Sequence, residues 1–201
     1  QQRPIWMSTT IGRDKEQMDE FYKELDDRQR KNITLAVMDM WKPFRNSLHA
    51  HASQAKIIYD KFHVLDHLNK AIDLVRRQEY KRASEKDRKF IKGQRYTLLT
   101  KEANLNLKGR ESLKALLNAN KRLNKAYVLK ESFGQLWDYD DPEKARQFFD
   151  NWKSQLRWSR LKPYHNFADL IERHWHGVAS YCFTENKVSL GFMESLINKI
   201  R

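Results

Sequence analysis

The sequence predicts an α/β protein that is predominantly helical, and three observations support this prediction. Two nearly continuous β-prone runs, ITLAVMDM and AKIIYD, lie within the first 62 residues. Such runs are typical of parallel strands that are buried on both faces. A short proline-led amphipathic segment separates the two runs. From residue 63 onward the β-prone runs disappear and apolar residues recur at helical spacing.

Residues 1–62 read as strand, helix, strand, helix and strand. RPIWMSTTI holds the end of a first strand, and GRDKEQMDEFYKELDD places Met18, Phe21, Tyr22 and Leu25 at helical spacing. Asp14 is placed to cap this helix. Pro43 opens the short helix PFRNSLHAHA, since the missing proline N–H costs nothing in a first helical turn.

Acidic residues stand at the ends of both β-prone runs. Asp39 ends the first run, Asp60 ends the second, and His63 follows three residues later. In a βαβ unit, ligands bind beyond the carboxyl ends of the parallel strands. A structural explanation also exists for each residue taken singly: a turn, a helix cap or a solvent-facing charge.

The remainder of the chain is predicted to be helical. Val64, Leu68, Ile72 and Val75 form an apolar stripe. Further helices are expected over residues 123–137, from the cap at Asp141, from Pro163 to about Tyr181, and in VSLGFMESLINKIR. The aromatic residues of these helices are predicted to form the core, including Trp137, Trp152, Trp158 and Trp175.

The net charge of +13 favours a polyanionic partner such as nucleic acid. Residues 76–130 hold 17 Lys and Arg against 5 Asp and Glu, a net charge of +12. A solvated helix face usually mixes both signs, so this excess favours phosphate contacts. The residues predicted to contact DNA are Arg76, Arg77, Lys81, Arg82, Arg88, Lys89, Lys92 and Arg95.

Several function classes have no support in the sequence. The single cysteine, Cys182, excludes an internal disulfide and fits a reducing compartment. The apolar runs are much shorter than the about 20 residues that cross a bilayer, so no membrane partner is expected. No Gly-rich phosphate-binding or dinucleotide-binding motif occurs.

The order of these motifs resembles a known family. MDMWKPF, AKIIYDKFHV, a long helical stretch and SLGFMESLINKIR follow one another as in the catalytic domain of DDE-type bacterial insertion-sequence transposases, specifically the ISL-type group. The resemblance covers most of the chain. It implies an RNase H-like fold whose partial sheet is followed by a large all-helical insertion.

The resemblance also implies a metal site and its residues. Asp39 matches the second, and Glu194 the third, of three catalytic carboxylates that bind Mg²⁺ or Mn²⁺. Asp60 and His63 match a D-x-x-H motif that supports the site. The family has paired amides after the glutamate, and here Asn198 is one of them while Ile197 stands at the other position.

These comparisons with the family pattern lead to an expected domain organisation. Residues 1–62 are the partial core, residues 63–185 the helical insertion, and residues 186–201 the core helix with the last acidic residue. The family's first catalytic aspartate lies upstream of the segment GRDKEQ, and the sequence begins after it. We therefore expect a fragment that is inactive by itself.

The predicted function is DNA cleavage and strand transfer during transposition, with transposon ends and target DNA as partners. The resemblance implies a homo-oligomer on DNA in the bacterial cytoplasm, associated with the nucleoid. Two alternatives stay open: a noncatalytic nucleic-acid-binding module derived from a transposase, and a helical protein with no DNA role. An additional upstream strand ending in aspartate would favour the enzyme.

Overall fold

The structure, a computed structural model, describes residues 15–183 and residue 186. It divides into two compact units, the first ending at His63 and the second beginning at Val64. The predicted N-terminal strand, Asp14 and the predicted last helix lie outside the described residues. The three-part domain assignment therefore stays a prediction.

The described chain is predominantly helical, with one small sheet. The first unit contains α1 (Lys15–Glu24), α2 (Asp27–Asn32), β1 (Leu35–Met38), α3 (Lys42–His51), β2 (Lys56–Tyr59) and the start of α4 (Lys61–Arg82). The second contains the rest of α4, then α5 (Glu85–Gly93), α6 (Arg95–Leu99), α7 (Leu107–Ala119), α8 (Lys121–Phe133), α9 (Pro142–Ser154), α10 (Lys162–Arg173) and α11 (Trp175–Ala179). Three short 3₁₀ helices cover Glu102–Asn104, Gly134–Asp138 and Ser180–Cys182.

The two strands pair in parallel, as the βαβ pattern predicts. Leu35 lies opposite Lys56, and the register continues to Met38 opposite Tyr59. The α3 helix crosses between the strands and has a proline in its first turn, as expected.

The prediction that both strands are buried on both faces is wrong for β1. Ile57, Ile58 and Tyr59 of β2 are buried, whereas Val37 of β1 is 38% exposed. Within the described residues β1 has β2 as its one neighbouring strand, and its residues are partly exposed.

A polar cluster joins α1 to α3 in the first unit. Asp19 of α1 accepts hydrogen bonds from the Ser47 hydroxyl at 2.5 Å and from Lys15 at 2.6 Å. His51 Nε2 lies 3.1 Å from the same carboxylate, and its ring stacks on Tyr22 with centroids 5.3 Å apart. The hydrogen bonds from Lys15 and Ser47 lower the pKa of Asp19 to about 2.

The depressed pKa of Asp19 predicts an acid-sensitive contribution to stability. A lowered folded-state pKa stabilises the fold above the ordinary value of 3.8, and this contribution is lost as the pH falls toward about 2. We expect Asp19→Asn to lower the melting temperature at neutral pH and to have little effect near pH 2. Circular dichroism melts across this range measure the difference.

Asp27→Asn is the matched control for this experiment. Asp27 is 83% exposed and pairs with Arg30 on its own helix, so its removal is expected to change little at any pH. An Asp19→Asn effect of the same size at pH 2 and pH 7 would contradict the assigned role of the Asp19 charge.

An aromatic core holds the second unit together. Trp152 of α9 is 1% exposed, and its indole N–H donates to the Leu129 carbonyl at 2.9 Å. Its ring packs edge-on against Phe133 and Phe167, at centroid distances of 5.0 and 6.0 Å. The Tyr164 hydroxyl donates to a carbonyl of α8, so α8, α9 and α10 meet around this tryptophan. The prediction that Trp152 is a core residue is confirmed.

The other predicted helices differ in detail. The stripe on α4 is buried as predicted, and Asp141 caps α9 by accepting hydrogen bonds from Glu143 and Lys144. The helix predicted from Pro163 to about Tyr181 is instead broken at His174, which separates α10 from α11. None of the helices described between residues 15 and 183 is long and apolar enough to cross a membrane.

The prediction that Trp158 is a core residue is wrong. Its side chain is 84% exposed, the largest fraction among the exposed large hydrophobic residues of the described chain. The helical spacing used to place it ends with α9 at Ser154, and the chain then turns. Trp137 and Trp152 are buried as predicted, and Trp175 is partly buried.

Candidate functional site: strand-end carboxylates and basic helices

The parallel pairing brings Asp39 and Asp60 to one edge of the sheet. Each residue directly follows its strand, and the Asp60 N–H donates to the Met38 carbonyl at 3.0 Å, which continues the ladder past the strand ends. The Trp41 N–H donates to the Asp39 carbonyl at 2.7 Å and turns the chain toward α3. Both carboxylates are about one quarter exposed, at 26% and 28% of the side chain.

His63 lies between the two carboxylates. Its Nε2 is 2.5 Å from Asp39 Oδ1, and its Nδ1 is 3.4 Å from Asp60 Oδ2. The Nε2 contact is the shorter of the two, so Asp39 is the closer partner of the ring. The sequence spacing alone brings Asp60 and His63 together on one helical turn, but the contact with Asp39 requires the parallel register.

Asp60 also has the structural role that its position allows. Its Oδ1 accepts the Phe62 N–H at 2.9 Å in the first turn of α4, as a helix cap does. One oxygen of Asp60 is therefore used to begin α4, and the other faces His63. The capping contact fixes the carboxylate at the end of the sheet.

Carboxylate oxygens are the donors that Mg²⁺ and Mn²⁺ prefer, so Asp39 and Asp60 fit such an ion chemically. Within residues 15–183 and residue 186, however, no three His, Cys, Asp or Glu side chains converge as a metal site. The predicted ligand Glu194 and its neighbour Asn198 lie outside the described residues. The described side chains therefore supply only part of a metal site.

A second group of residues has the composition of a hydrolase triad but not its geometry. The Ser47 hydroxyl and His51 both contact Asp19, so the carboxylate stands in the centre. A nucleophilic serine would instead contact the histidine. This cluster, which sequence reasoning missed, joins α1 to α3.

The residues predicted to contact DNA differ in their availability. Arg76 is 8% exposed and pairs with Asp73 at 2.7 Å. Arg77 also pairs with Asp73, at 2.8 Å, and Arg95 lies 3.8 Å from the same carboxylate, although both side chains are about half exposed or more. Arg82 pairs with Glu79 at 3.1 Å. These ion pairs neutralise part of the basic stretch.

The lysines of the basic stretch are the more available cations. Lys81, Lys89 and Lys92 are exposed and form no ion pair among the described residues. Lys86 is also exposed and lies on α5 with Lys89 and Lys92, although the sequence analysis does not predict it as a DNA contact. Arg88 donates instead to the Ala83 carbonyl at 3.1 Å, at the junction of α4 and α5.

A family model described as Transposase, of the ISL3 type of DDE transposases, matches residues 2–201. The chain belongs to this transposase family. The predicted relationship to insertion-sequence transposases is thus confirmed over nearly the whole sequence.

Curated relatives of this transposase chain come from two bacteria. The transposase for insertion sequence element IS1001 of Bordetella parapertussis is 30% identical over 200 residues, covering 98% of this chain and 48% of the relative. The transposase for insertion sequence element IS1557 of Mycobacterium tuberculosis is 24% identical, covering 99% of this chain and 49% of the relative. The chain thus spans about half the length of the curated relatives it matches. No solved structure matches it.

Proposed function

We propose that this chain forms part of the catalytic core of a transposase that cleaves and joins DNA with divalent metal ions. The observation that carries the proposal is the arrangement of Asp39, Asp60 and His63 at the carboxyl ends of two parallel strands. Membership of a transposase family supports it. The RNase H-like assignment and the role of the whole protein belong to this proposal.

Asp39 is the proposed metal ligand of the described chain, and Glu194 is the proposed ligand from the last segment. Bound Mg²⁺ or Mn²⁺ would supply Lewis-acid activation of the attacking oxygen and of the leaving oxygen. Asp39 would contribute a hard oxygen donor from a strand end whose backbone is fixed by the ladder.

His63 is proposed as a positioning residue. Its Nε2 contact restricts the Asp39 carboxylate to one orientation, and α4, capped by Asp60, restricts His63 in turn. Partners of this kind orient a ligating carboxylate and raise metal affinity. The D-x-x-H motif therefore acts here through Asp39.

We further propose that DNA binds the exposed cations of α4 and α5. Lys81, Arg88, Lys89 and Lys92 remain exposed, and Arg77, Arg82 and Arg95 can add charge at the edges of their ion pairs. Arg76 is left out of the proposed interface, because its guanidinium is buried against Asp73. Phosphate contacts of this kind are independent of sequence and sensitive to salt.

Replacing Lys81, Lys89 and Lys92 together with glutamine is expected to weaken binding to duplex DNA. Each lost phosphate contact lowers the slope of log affinity against log salt by about 0.9, so the slope falls by about 2 to 3 in total. Fluorescence anisotropy with a labelled duplex over a series of salt concentrations measures both the affinity and the slope.

The control variant also loses three positive charges, but at lysines outside the basic stretch. Lys23, Lys31 and Lys144 are exposed and lie outside the basic stretch. Replacing these three lysines with glutamine is expected to leave most of the affinity and the salt slope intact. Equal losses in the two triple variants would show that only the net charge matters and would contradict an interface on α4 and α5.

A further inference from the structure

The turn between α9 and α10 exposes the ring of Trp158, and the neighbouring residues in the sequence include several lysines and arginines. Trp158 is 84% exposed. Residues 151–168 contain Lys153, Arg157, Arg160 and Lys162 and no acidic residue, and of these four Lys153 pairs with Glu172 at 2.9 Å. Burial, which explains the other tryptophans of α9 and its neighbours, does not explain this one.

The turn is held firmly on both sides of Trp158. Leu156 is 1% exposed and Leu161 is fully buried, so the two leucines anchor the turn in the core. The Ser159 N–H donates to the Leu156 carbonyl at 2.9 Å, and the Leu161 N–H donates to the Ser159 hydroxyl at 3.2 Å. The backbone that presents Trp158 therefore has a defined conformation.

Hydrogen bonds between residues distant in the sequence also hold this turn in place. Arg122 of α8 donates to the Arg160 carbonyl at 2.9 Å and to Glu79 of α4 at 2.5 Å. Burial raises the pKa of Glu79, but hydrogen bonds from Asn120 and Arg122 outweigh it, so the pKa is lowered. The charged network thus fixes the turn beside the end of α4, where the basic stretch begins.

The cations around Trp158 are free for an external anion. The Arg157 guanidinium lies 5.5 Å from the centroid of the Trp158 ring, over its face. Arg157, Arg160 and Lys162 are exposed and form no ion pair within the described part of the chain. Arg160 also has a φ of 54°, in the left-handed region that favours glycine.

We propose that Trp158 stacks on an unpaired nucleobase while Arg157, Arg160 and Lys162 contact the adjoining phosphates. This inference rests on the proposed DNA-binding function and names a second contact within it. An aromatic face beside cations that form no ion pair among the described residues matches single-stranded nucleic acid, since every base offers a π-face and every nucleotide a negative charge. An apolar protein partner would not need the cations.

The test compares single-stranded and duplex DNA. We expect Trp158→Ala in the 201-residue chain to weaken binding of single-stranded oligothymidylate at least about fivefold, the low end of the loss expected for one stacked base. Binding of a blunt duplex should change less than about twofold, because its bases are already stacked. Trp158→Phe should retain most of the single-strand affinity. A fluorescent adenine analogue in the oligonucleotide reports stacking directly through its quenching.

Leu107→Ala is the matched control, since Leu107 is an apolar residue of the same unit that is 76% exposed. It should leave both affinities unchanged. If Trp158→Ala binds both DNAs like the wild type while the Lys81, Lys89 and Lys92 variant loses affinity, the stacking inference is wrong and the proposed interface stands. A change in sedimentation without a change in DNA binding would assign Trp158 to a contact between copies. Failure of the wild type to bind any DNA would overturn both proposals.

Discussion

Asp39→Asn is expected to reduce transposition by at least about 100-fold, more than the loss of an outer-shell partner of a metal site costs. The substitution keeps the size of the side chain and removes the negative charge that would hold a divalent cation. The contact with His63 can still form, because an amide oxygen also accepts a hydrogen bond. The measurement is excision and insertion of a marked element in cells that express the transposase from its intact element.

Asp66→Asn provides the control in the same experiment. Asp66 lies on α4, is 59% exposed and pairs with Lys70 one helical turn away. Its removal should leave transposition within about twofold of the wild type, because an exposed i,i+4 pair contributes little to stability. Transposition that survives Asp39→Asn in a folded protein would exclude Asp39 as a ligand and remove the main support for the proposed active site.

Trp152→Ala is expected to destabilise the second unit by about 3 to 5 kcal/mol, the usual cost of emptying a core site of this size. The ring contacts Phe133 and Phe167, and its N–H donates to the Leu129 carbonyl, so three helices lose a common contact. A domain is stable by only about 5 to 15 kcal/mol, so the loss is a large share. Urea unfolding followed by circular dichroism measures the change.

The same substitution at Trp158 gives the comparison. Trp158 lies six residues after Trp152 in the sequence and is 84% exposed. Trp158→Ala should change the free energy of unfolding by less than about 0.5 kcal/mol, as surface substitutions usually do. Equal destabilisation by both substitutions would mean that the Trp158 ring is buried in the folded protein, which would contradict the turn conformation and the stacking inference together.

Local signals in the sequence were enough to predict most elements. The β-prone runs, Pro43 and the cap at Asp141 act within one strand or one helical turn, and the corresponding elements are present. The break at His174 was missed because both flanking segments continue an apolar helical spacing across it. A helix end that depends on packing leaves no such local mark.

The candidate site was predicted in part. Asp39 and Asp60 are predicted from their places at strand ends and His63 from the D-x-x-H motif, and the parallel register brings Asp39 into contact with His63. The availability of the basic residues was not predicted. The pair between Arg76 and Asp73 lies within one helical turn, but whether it is buried depends on what packs over α4.

The sequence by itself determined the family, the strand-end carboxylates and the concentration of positive charge, because these depend on residue types and their order along the chain. Only the tertiary structure decided that His63 contacts Asp39, that Arg122 ties the Trp158 turn to Glu79, and that Trp158 faces solvent. The physical reason is that hydrogen bonding and burial between distant segments depend on how the chain turns and packs. The apolar spacing of the α9 sequence continues to Trp158, although the helix itself ends at Ser154.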